Sequence, residues 1–437
     1  MKLNPLAQEL NQLIEQEAPI LYSLLSDYGK RLFFPKGIIS QSAEAKELAK
    51  NYNATIGIAT ENKVPMHLNC VGRFFDEGLT PQELYPYAPT TGLMQLRVFW
   101  KEKQEQENPS MRGKVTSLPV VTNALSHGLS LAGELFCEEG TRLVLADQYW
   151  GNYKFLWGMK SKCELVTFPL FDDQLESFNF DAFRDTLKRY EGEKFVVALN
   201  FPNNPTGYLP TKKEAESIRK ILVEAADRGS RMIVICDDAY FGMTWEEQCL
   251  QESMFGLLAD AHPKLLAVKV DGCTKEGFMW GFRVGFLTLA MKGVPKKVFD
   301  AVEKKIGGAI RASIASVNLP GQTILLKAFR SDTYHRELQE KKNILRERYD
   351  ATKRSVYLPQ YASLWDVYPF QSGYFMTLRL KNVNAETLRL HLLEKYGLGV
   401  ISVNDSDLRI AFSCLEKEDI SKVFELIARG IRDILAR

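Results

Sequence analysis

The chain has little cysteine: seven residues in 437, odd in number, scattered and without a CxxC pair. That favours neither a disulfide framework nor a zinc site. Charge of one sign is also missing. A net charge of +2 gives no electrostatic footprint for nucleic acid or an acidic membrane surface. No apolar run approaches the roughly 18 residues a membrane-crossing helix needs. Met1-Lys2-Leu3-Asn4-Pro5 has neither the apolar stretch nor the small-residue cleavage site of a secretory signal. Internal repeats, low-complexity tracts and Gly/Ser linkers are absent too. These absences leave a globular protein, expected in the cytoplasm, with two or three domains or one large domain and a satellite.

Helical spacing of Leu10, Leu13, Ile14 and Leu21 predicts a helix over about Ala7–Leu25. From about residue 60 to 325, short apolar runs alternate with helix-like stretches such as Lys212–Ala226. The strand candidates are Arg142–Ala146, Leu165–Pro169, Phe195–Asn200, Met232–Asp237, Leu265–Val270 and Val284–Leu289. Several are apolar throughout, as strands buried on both faces are. Strands alternating with helices predict an α/β domain with a largely parallel sheet. After Arg330 a long charged helix pattern runs to about Lys353. Shorter α and β signals then fit a smaller α+β domain.

Ligands of open α/β sheets bind beyond the carboxyl ends of the strands. Asn204 follows one predicted strand, Asp237 ends the next and Lys275 follows the third, so all three converge on one rim. Lys275 supplies an amine able to condense with an aldehyde, although most lysines are solvated surface groups. Asp237 closes the apolar run Met232-Ile233-Val234-Ile235-Cys236, where a carboxylate is costly unless paired. It serves either as a structural ion pair or as the partner of a protonated pyridine nitrogen. Tyr240 and the Asn204 amide are candidates for a ring oxygen, though Asn203-Asn204-Pro205-Thr206-Gly207 also reads as a turn. Arg283 offers a planar fork for phosphate. Val121-Thr122-Asn123-Ala124-Leu125-Ser126-His127-Gly128 precedes an apolar helical run whose first N–H groups suit an anion. His127 has no evident partner and reads as packing. Together these groups suit an aromatic, phosphorylated, carbonyl-bearing cofactor, pyridoxal phosphate (PLP), held through Lys275.

These segments, in this order and with eight residues between Lys275 and Arg283, resemble the PLP-dependent aminotransferases of class I/II, fold type I, the aspartate and aromatic branch. The likeness runs from about residue 50 to 415. It implies a large PLP-binding α/β domain over 61–328 with a mostly parallel central sheet flanked by helices. A smaller α+β domain over 329–437 would be joined by residues 1–60. By the same resemblance, Lys275 carries the cofactor and Asp237 pairs with its pyridinium. Asn204 and Tyr240 bind the ring oxygen, and Arg283 binds the phosphate with Ala124, Leu125 and Ser126. Trp150 stacks on the ring, Tyr87 reaches the phosphate of a neighbouring subunit, and Arg409 clamps the substrate α-carboxylate. Trp150 and Asn204 also face the substrate, with Gly57 lining its pocket. Arg311 resembles the residue that binds a second carboxylate, but the Ser-Asn-Pro-Pro run expected nearby reads Ala315-Ser316-Val317-Asn318. The implied assembly is a homodimer with shared sites.

Three departures stand out. Ala124 replaces the glycine or serine common in the phosphate loop. Gly272 stands where a phosphate-binding serine is common, and Tyr153 stands where a histidine supports the pyridinium-binding aspartate. The implied reaction moves an amino group from an acidic or aromatic L-amino acid to a 2-oxo acid in two half-reactions. A β-eliminating lyase or a synthase would use the same apparatus. Gly128-Leu129-Ser130-Leu131-Ala132 has the outline of a hydrolase nucleophile elbow, yet Ser130 falls inside a helical run. A PLP-binding regulator would need a DNA-binding module, which the first 50 residues are too short and insufficiently basic to supply.

Overall fold

The computed structural model describes residues 3–33, 37–75 and 78–436. Its centre is a seven-stranded sheet built from β1 (Val120–Thr122), β2 (Arg142–Ala146), β3 (Glu164–Phe168), β4 (Lys194–Asn200), β5 (Arg231–Asp237), β6 (Leu265–Asp271) and β7 (Gly285–Met291). The spatial order is β1-β7-β6-β5-β4-β2-β3. Pairings from β3 through β6 are all parallel, and only β7 runs antiparallel to its two neighbours. This is the α/β fold the sequence predicts.

The reason is visible in β5. Ile233 and Ile235 point into one hydrophobic core, whereas Met232, Val234 and Cys236 point into another. A strand apolar on both faces is stable only with helices covering both. Burying each such side chain contributes about 1.5–3 kcal/mol. Among the covering helices are α1 (Ala124–Phe136) and α2 (Lys212–Asp227). Thr211 and Glu214 form a reciprocal cap that starts α2.

A second, four-stranded antiparallel sheet joins Trp365–Val367, Phe375–Leu380, Asp407–Ala411 and Ile401–Ser402 in that spatial order. Residues Tyr52–Asn53 pair in parallel with Leu398–Gly399, 345 residues or more away in the chain. The long helix predicted after Arg330 runs over Tyr334–Val356.

Two expectations need correction. The helix predicted over Ala7–Leu25 is two helices, Pro5–Glu17 and Pro19–Leu24. Pro19 donates no N–H and disfavours the helical conformation at Ala18, which takes φ −147°. Strand β1 was absent from the predicted set, since three residues leading into a helix carry too little pattern. Among the described residues no helix is long and apolar enough to cross a membrane.

Candidate active site

Asn200 and Asp237 are register partners at the carboxyl ends of β4 and β5, and Asp237 pairs across to Val270 near the end of β6. The rim they form opens into a cavity of about 420 Å³, within the range of cofactor and ligand pockets. Lys275, Asp237, Tyr240, Asn204, Arg283 and Arg409 all border it, as do Trp150, Gly57, Leu125 and Ser126.

Burial shifts the two central charges in opposite directions. It lowers the Lys275 ammonium to about 8, against an attraction from Asp237 that favours charge and with a push from Arg283 in the same direction as burial. It raises the Asp237 carboxyl above its ordinary value, and a hydrogen bond from the Tyr153 hydroxyl works against that rise. Tyr153 donates to Asp237 Oδ2, and the Ala239 N–H donates to Oδ1 at 3.2 Å. The tyrosine is itself buried, stacked on Trp157 at 4.6 Å between centroids and edge-on to Trp150 at 5.8 Å. The position that departs from the family's histidine therefore still gives Asp237 a fixed donor. The lysine's carbonyl accepts from the Tyr374 hydroxyl at 3.0 Å, and its ammonium lies 5.1 Å from the Tyr240 ring centre.

One end of the cavity is built for an anion. Helix α1 begins at Ala124 with no side-chain hydrogen bond capping its first turn, so those N–H groups are free to donate. Ala124 has φ +64° and Arg283 has φ +56°, left-handed values that side chains rarely adopt. Gly285 explains how the two segments meet. A Cβ there would lie 2.7 Å from the Ala124 carbonyl carbon, so only glycine allows the approach. His127 is not an idle packing residue: its Nδ1 accepts the Asn123 N–H at 3.0 Å and ties down the loop before the helix.

At another wall Arg409, 2% exposed, is held by its own surroundings. Its Nη1 donates to Asn204 Oδ1 at 3.0 Å and its Nη2 to the Thr55 carbonyl at 2.7 Å. The guanidinium lies 4.2 Å from the Phe375 ring centre. Burial brings it down to about 10, leaving it fully charged at neutral pH. Its Nε has no partner among the described residues.

The segment Ala54–Thr60 beside it is a wall whose carbonyls are claimed from far along the chain. Ala411 N–H donates to Ala54 O, Cys414 Sγ to the Ile56 and Ile58 carbonyls at 3.1 and 3.2 Å, and Arg348 to Thr60 O.

Three residues singled out in the sequence lie elsewhere. Ala124 contributes backbone and not cavity lining, Tyr87 is 90% exposed, and Arg311 is exposed at the end of the helix Lys296–Ser313. Conversely, Ser42, Ile56, Ile58, Thr274, Trp280 and Phe375 line the cavity although the sequence assigned none of them a role. Only tertiary packing reveals them.

The donor set fits PLP: a low-pKa amine for an aldehyde, a buried carboxylate for a pyridinium, and amides with a guanidinium for a phosphate. The buried Thr274 Oγ1 and Trp280 Nε1, both without partners among the described residues, show that the cavity is made for a polar occupant.

Comparison with known proteins agrees. Aspartate aminotransferase of Bacillus subtilis is 25% identical over 260 residues, covering 58% of this chain and 60% of that protein. The chain thus spans about three fifths of the curated relative's length. An aminotransferase from Anaerococcus prevotii superposes with a TM-score of 0.82 at 20% identity, covering 93% of this chain and 98% of that one. A multiple substrate aminotransferase from Thermococcus profundus gives 0.77 at 16% identity, over 95% and 99%. At such identities the two structures speak for the fold. The family model described as aminotransferase class I and II matches residues 87–427. The chain therefore belongs to the class I and II aminotransferases, a PLP-dependent family.

Proposed function

We propose that the protein transfers an amino group from an acidic or aromatic L-amino acid to a 2-oxo acid. The observation that carries this reading is the convergence of Lys275, Asp237 and Arg409, all buried against one cavity. The relatives that match are named aminotransferases, so the lyase and synthase alternatives are not favoured.

Lys275 would hold the cofactor aldehyde, Asp237 its ring nitrogen, and Asn204 and Tyr240 its ring oxygen. Arg283 and the Ala124–Ser126 backbone would hold the phosphate, with Trp150 against the ring. Bound there, PLP supplies an electron sink that makes the substrate α-proton acidic. Arg409 binds the substrate carboxylate through its fork, a geometry lysine cannot copy. That grip fixes the α-carbon within reach of Lys275 Nζ. Near neutral pH a useful fraction of this amine is free, so Nζ can take the α-proton and deliver it again. The Tyr153 hydroxyl donates to Asp237, which works against the rise that burial causes and fixes how the carboxylate is turned. Gly57 lines the wall beside Phe375 and the Tyr240 hydroxyl, where a Cβ would make ordinary contacts at 3.5 Å.

Residues 61–328 make the large domain, and 1–60 with 329–437 the small one. The Tyr52–Asn53 pairing with Leu398–Gly399 supports this assignment. Exposure of Tyr87 and Arg311 supports a homodimer in which both serve the neighbouring subunit's site, Tyr87 at phosphate and Arg311 at a second carboxylate.

A donor screen of purified protein with 2-oxoglutarate tests the reading. Oxo acid should form from the donor only when the second oxo acid is present. Lys275→Ala should abolish both turnover and the long-wavelength absorbance of lysine-bound cofactor. Near-normal activity in that variant refutes the mechanism.

A further inference from the structure

We infer that Gln148 and Asp407 form a strut that sets Arg409 against the cofactor wall of the cavity before any substrate arrives, a positioning role that rests on the aminotransferase reading above.

Arg409 sits on the strand Asp407–Ala411 of the four-stranded sheet, whereas Trp150 and Asn204 belong to loops at the rim of the seven-stranded sheet. Gripping a carboxylate beside the cofactor needs strand and rim at one fixed spacing. The direct bonds of Arg409 do not secure that spacing during binding. Its contacts to Asn204 and Thr55 use N–H groups of the guanidinium that an incoming carboxylate competes for. The anchor has to leave the guanidinium alone, and one lies two residues earlier in the strand.

Residues two apart in a strand share a face, so Asp407 is on the Arg409 side of the sheet. It is 1% exposed and Gln148 is 6% exposed. Gln148 Nε2 donates to Asp407 Oδ2 at 2.9 Å. The other side-chain donors to this carboxylate come from its own side: Asn404 Nδ2 at 2.7 Å, Ser406 Oγ at 3.2 Å and the Tyr368 hydroxyl at 3.2 Å. Among the described residues Gln148 alone reaches it from the rim.

Gln148 is itself tied to both loops that matter. It stands two residues before Trp150, and its carbonyl accepts from Asn203 Nδ2, next to Asn204, at 3.0 Å. Thr377, the register partner of Arg409, adds a second tie by donating to the Pro205 carbonyl at 2.9 Å. Gln148 Oε1 is enclosed without a partner among the described residues. An amide buried half unpaired is costly, and the charge-assisted bond to Asp407 offsets that cost. The charge also fixes the amide's facing, since Oε1 turned over would meet a carboxylate.

The test uses full-length holoenzyme and two probes, read by the change in cofactor absorbance as each binds. One is a donor with a methyl in place of its α-hydrogen, which keeps the carboxylate and has no proton to lose. The other is the amine left when the α-carboxylate is removed. For an aromatic donor these are α-methylphenylalanine and phenethylamine; for an acidic one, α-methylaspartate and β-alanine. Gln148→Met keeps the bulk and removes the donor. It should weaken the methylated amino acid about tenfold, the scale expected when a gripping group moves by less than an ångström. The amine, and PLP titrated into stripped protein, should bind as tightly as to the wild type. Asp407→Asn keeps an acceptor and loses the charge; it should show the same selective pattern, and it carries the comparison should Gln148→Met fail to fold. Equal weakening toward both probes overturns the strut, because a general structural defect does not single out a carboxylate. Unchanged affinity for the methylated amino acid overturns it as well. A wild type that binds no PLP, or binds PLP but neither probe, overturns the aminotransferase reading and the strut with it.

Discussion

The amine of Lys275 should titrate far below an ordinary lysine, and this can be measured without any substrate. Burial brings it from 10.5 to about 8. At pH 7 roughly one molecule in ten then carries a free amine, against about one in three thousand for an unperturbed lysine, a gain of about 300-fold in nucleophile. Trace acetylation of the cofactor-stripped protein across about pH 6–11, read at the Lys275 peptide by mass spectrometry, gives the midpoint directly. Two variants test the causes. Asp237→Asn removes the attraction that favours the charged form, so the midpoint should fall below that of the wild type. Arg283→Leu removes a repulsion, so the midpoint should rise. A wild-type midpoint near the ordinary value, or both variants moving it in the same direction, refutes the electrostatic account.

The same shift bears on stability. The unfolded lysine keeps its proton up to about pH 10.5, whereas the folded one releases it at about 8. Between those values the unfolded chain binds more protons, so this residue's contribution to stability rises with pH and falls as pH drops through about 8. The full span is at most about 3.4 kcal/mol, at 1.36 kcal/mol per pKa unit. Lys275→Met should flatten that slope in denaturant melts taken from pH 8 to 10.5.

Tyr153→Phe should raise the Asp237 carboxyl further and weaken PLP binding by about tenfold or more, in line with the loss of a buried charge-assisted hydrogen bond. Turnover number should fall while the donor KM changes little. Cys414→Ala should raise the donor KM and leave PLP affinity intact, because the thiol holds the Ile56 and Ile58 carbonyls and not the cofactor. Equal losses in both measurements would make Cys414 merely structural. Arg311→Ala should cost activity toward acidic donors selectively; uniform activity across donors would remove it from the substrate site.

Much of the large sheet was legible because its strands are apolar without interruption. Met232-Ile233-Val234-Ile235-Cys236 has no helical or alternating period, and both of its faces are in fact covered. The motif residues near strand ends were legible for a related reason, since a carboxylate or an amide at the end of an apolar run is conspicuous. The wall Ala54–Thr60 was not. Its carbonyls are held by Arg409, Ala411, Cys414 and Arg348, each about 290 residues or more away in the chain. No local pattern encodes such a contact. Thr274 was equally hidden, because a threonine beside a lysine looks ordinary until its hydroxyl is found enclosed and alone.

One physical cause organises the cavity's chemistry. Enclosure by protein favours the neutral form of every ionisable group, so it makes Lys275 a better amine and Asp237 a worse anion. A site needing a free amine and an ionised carboxylate side by side cannot get both from burial alone. The amine needs nothing more. The carboxylate must be rescued, and the rescue is visible: Tyr153 and the Ala239 N–H each give it a donor, and Lys275, when protonated, adds charge. Arg409 faces the same desolvation with its charge intact, because burial brings its guanidinium down only to about 10. Polar support around this cavity is therefore expected where burial opposes the needed charge state, at Asp237, and superfluous where burial creates it. Lys275 fits that rule: among the described residues its ammonium has no hydrogen bond, only the Tyr240 ring beneath it.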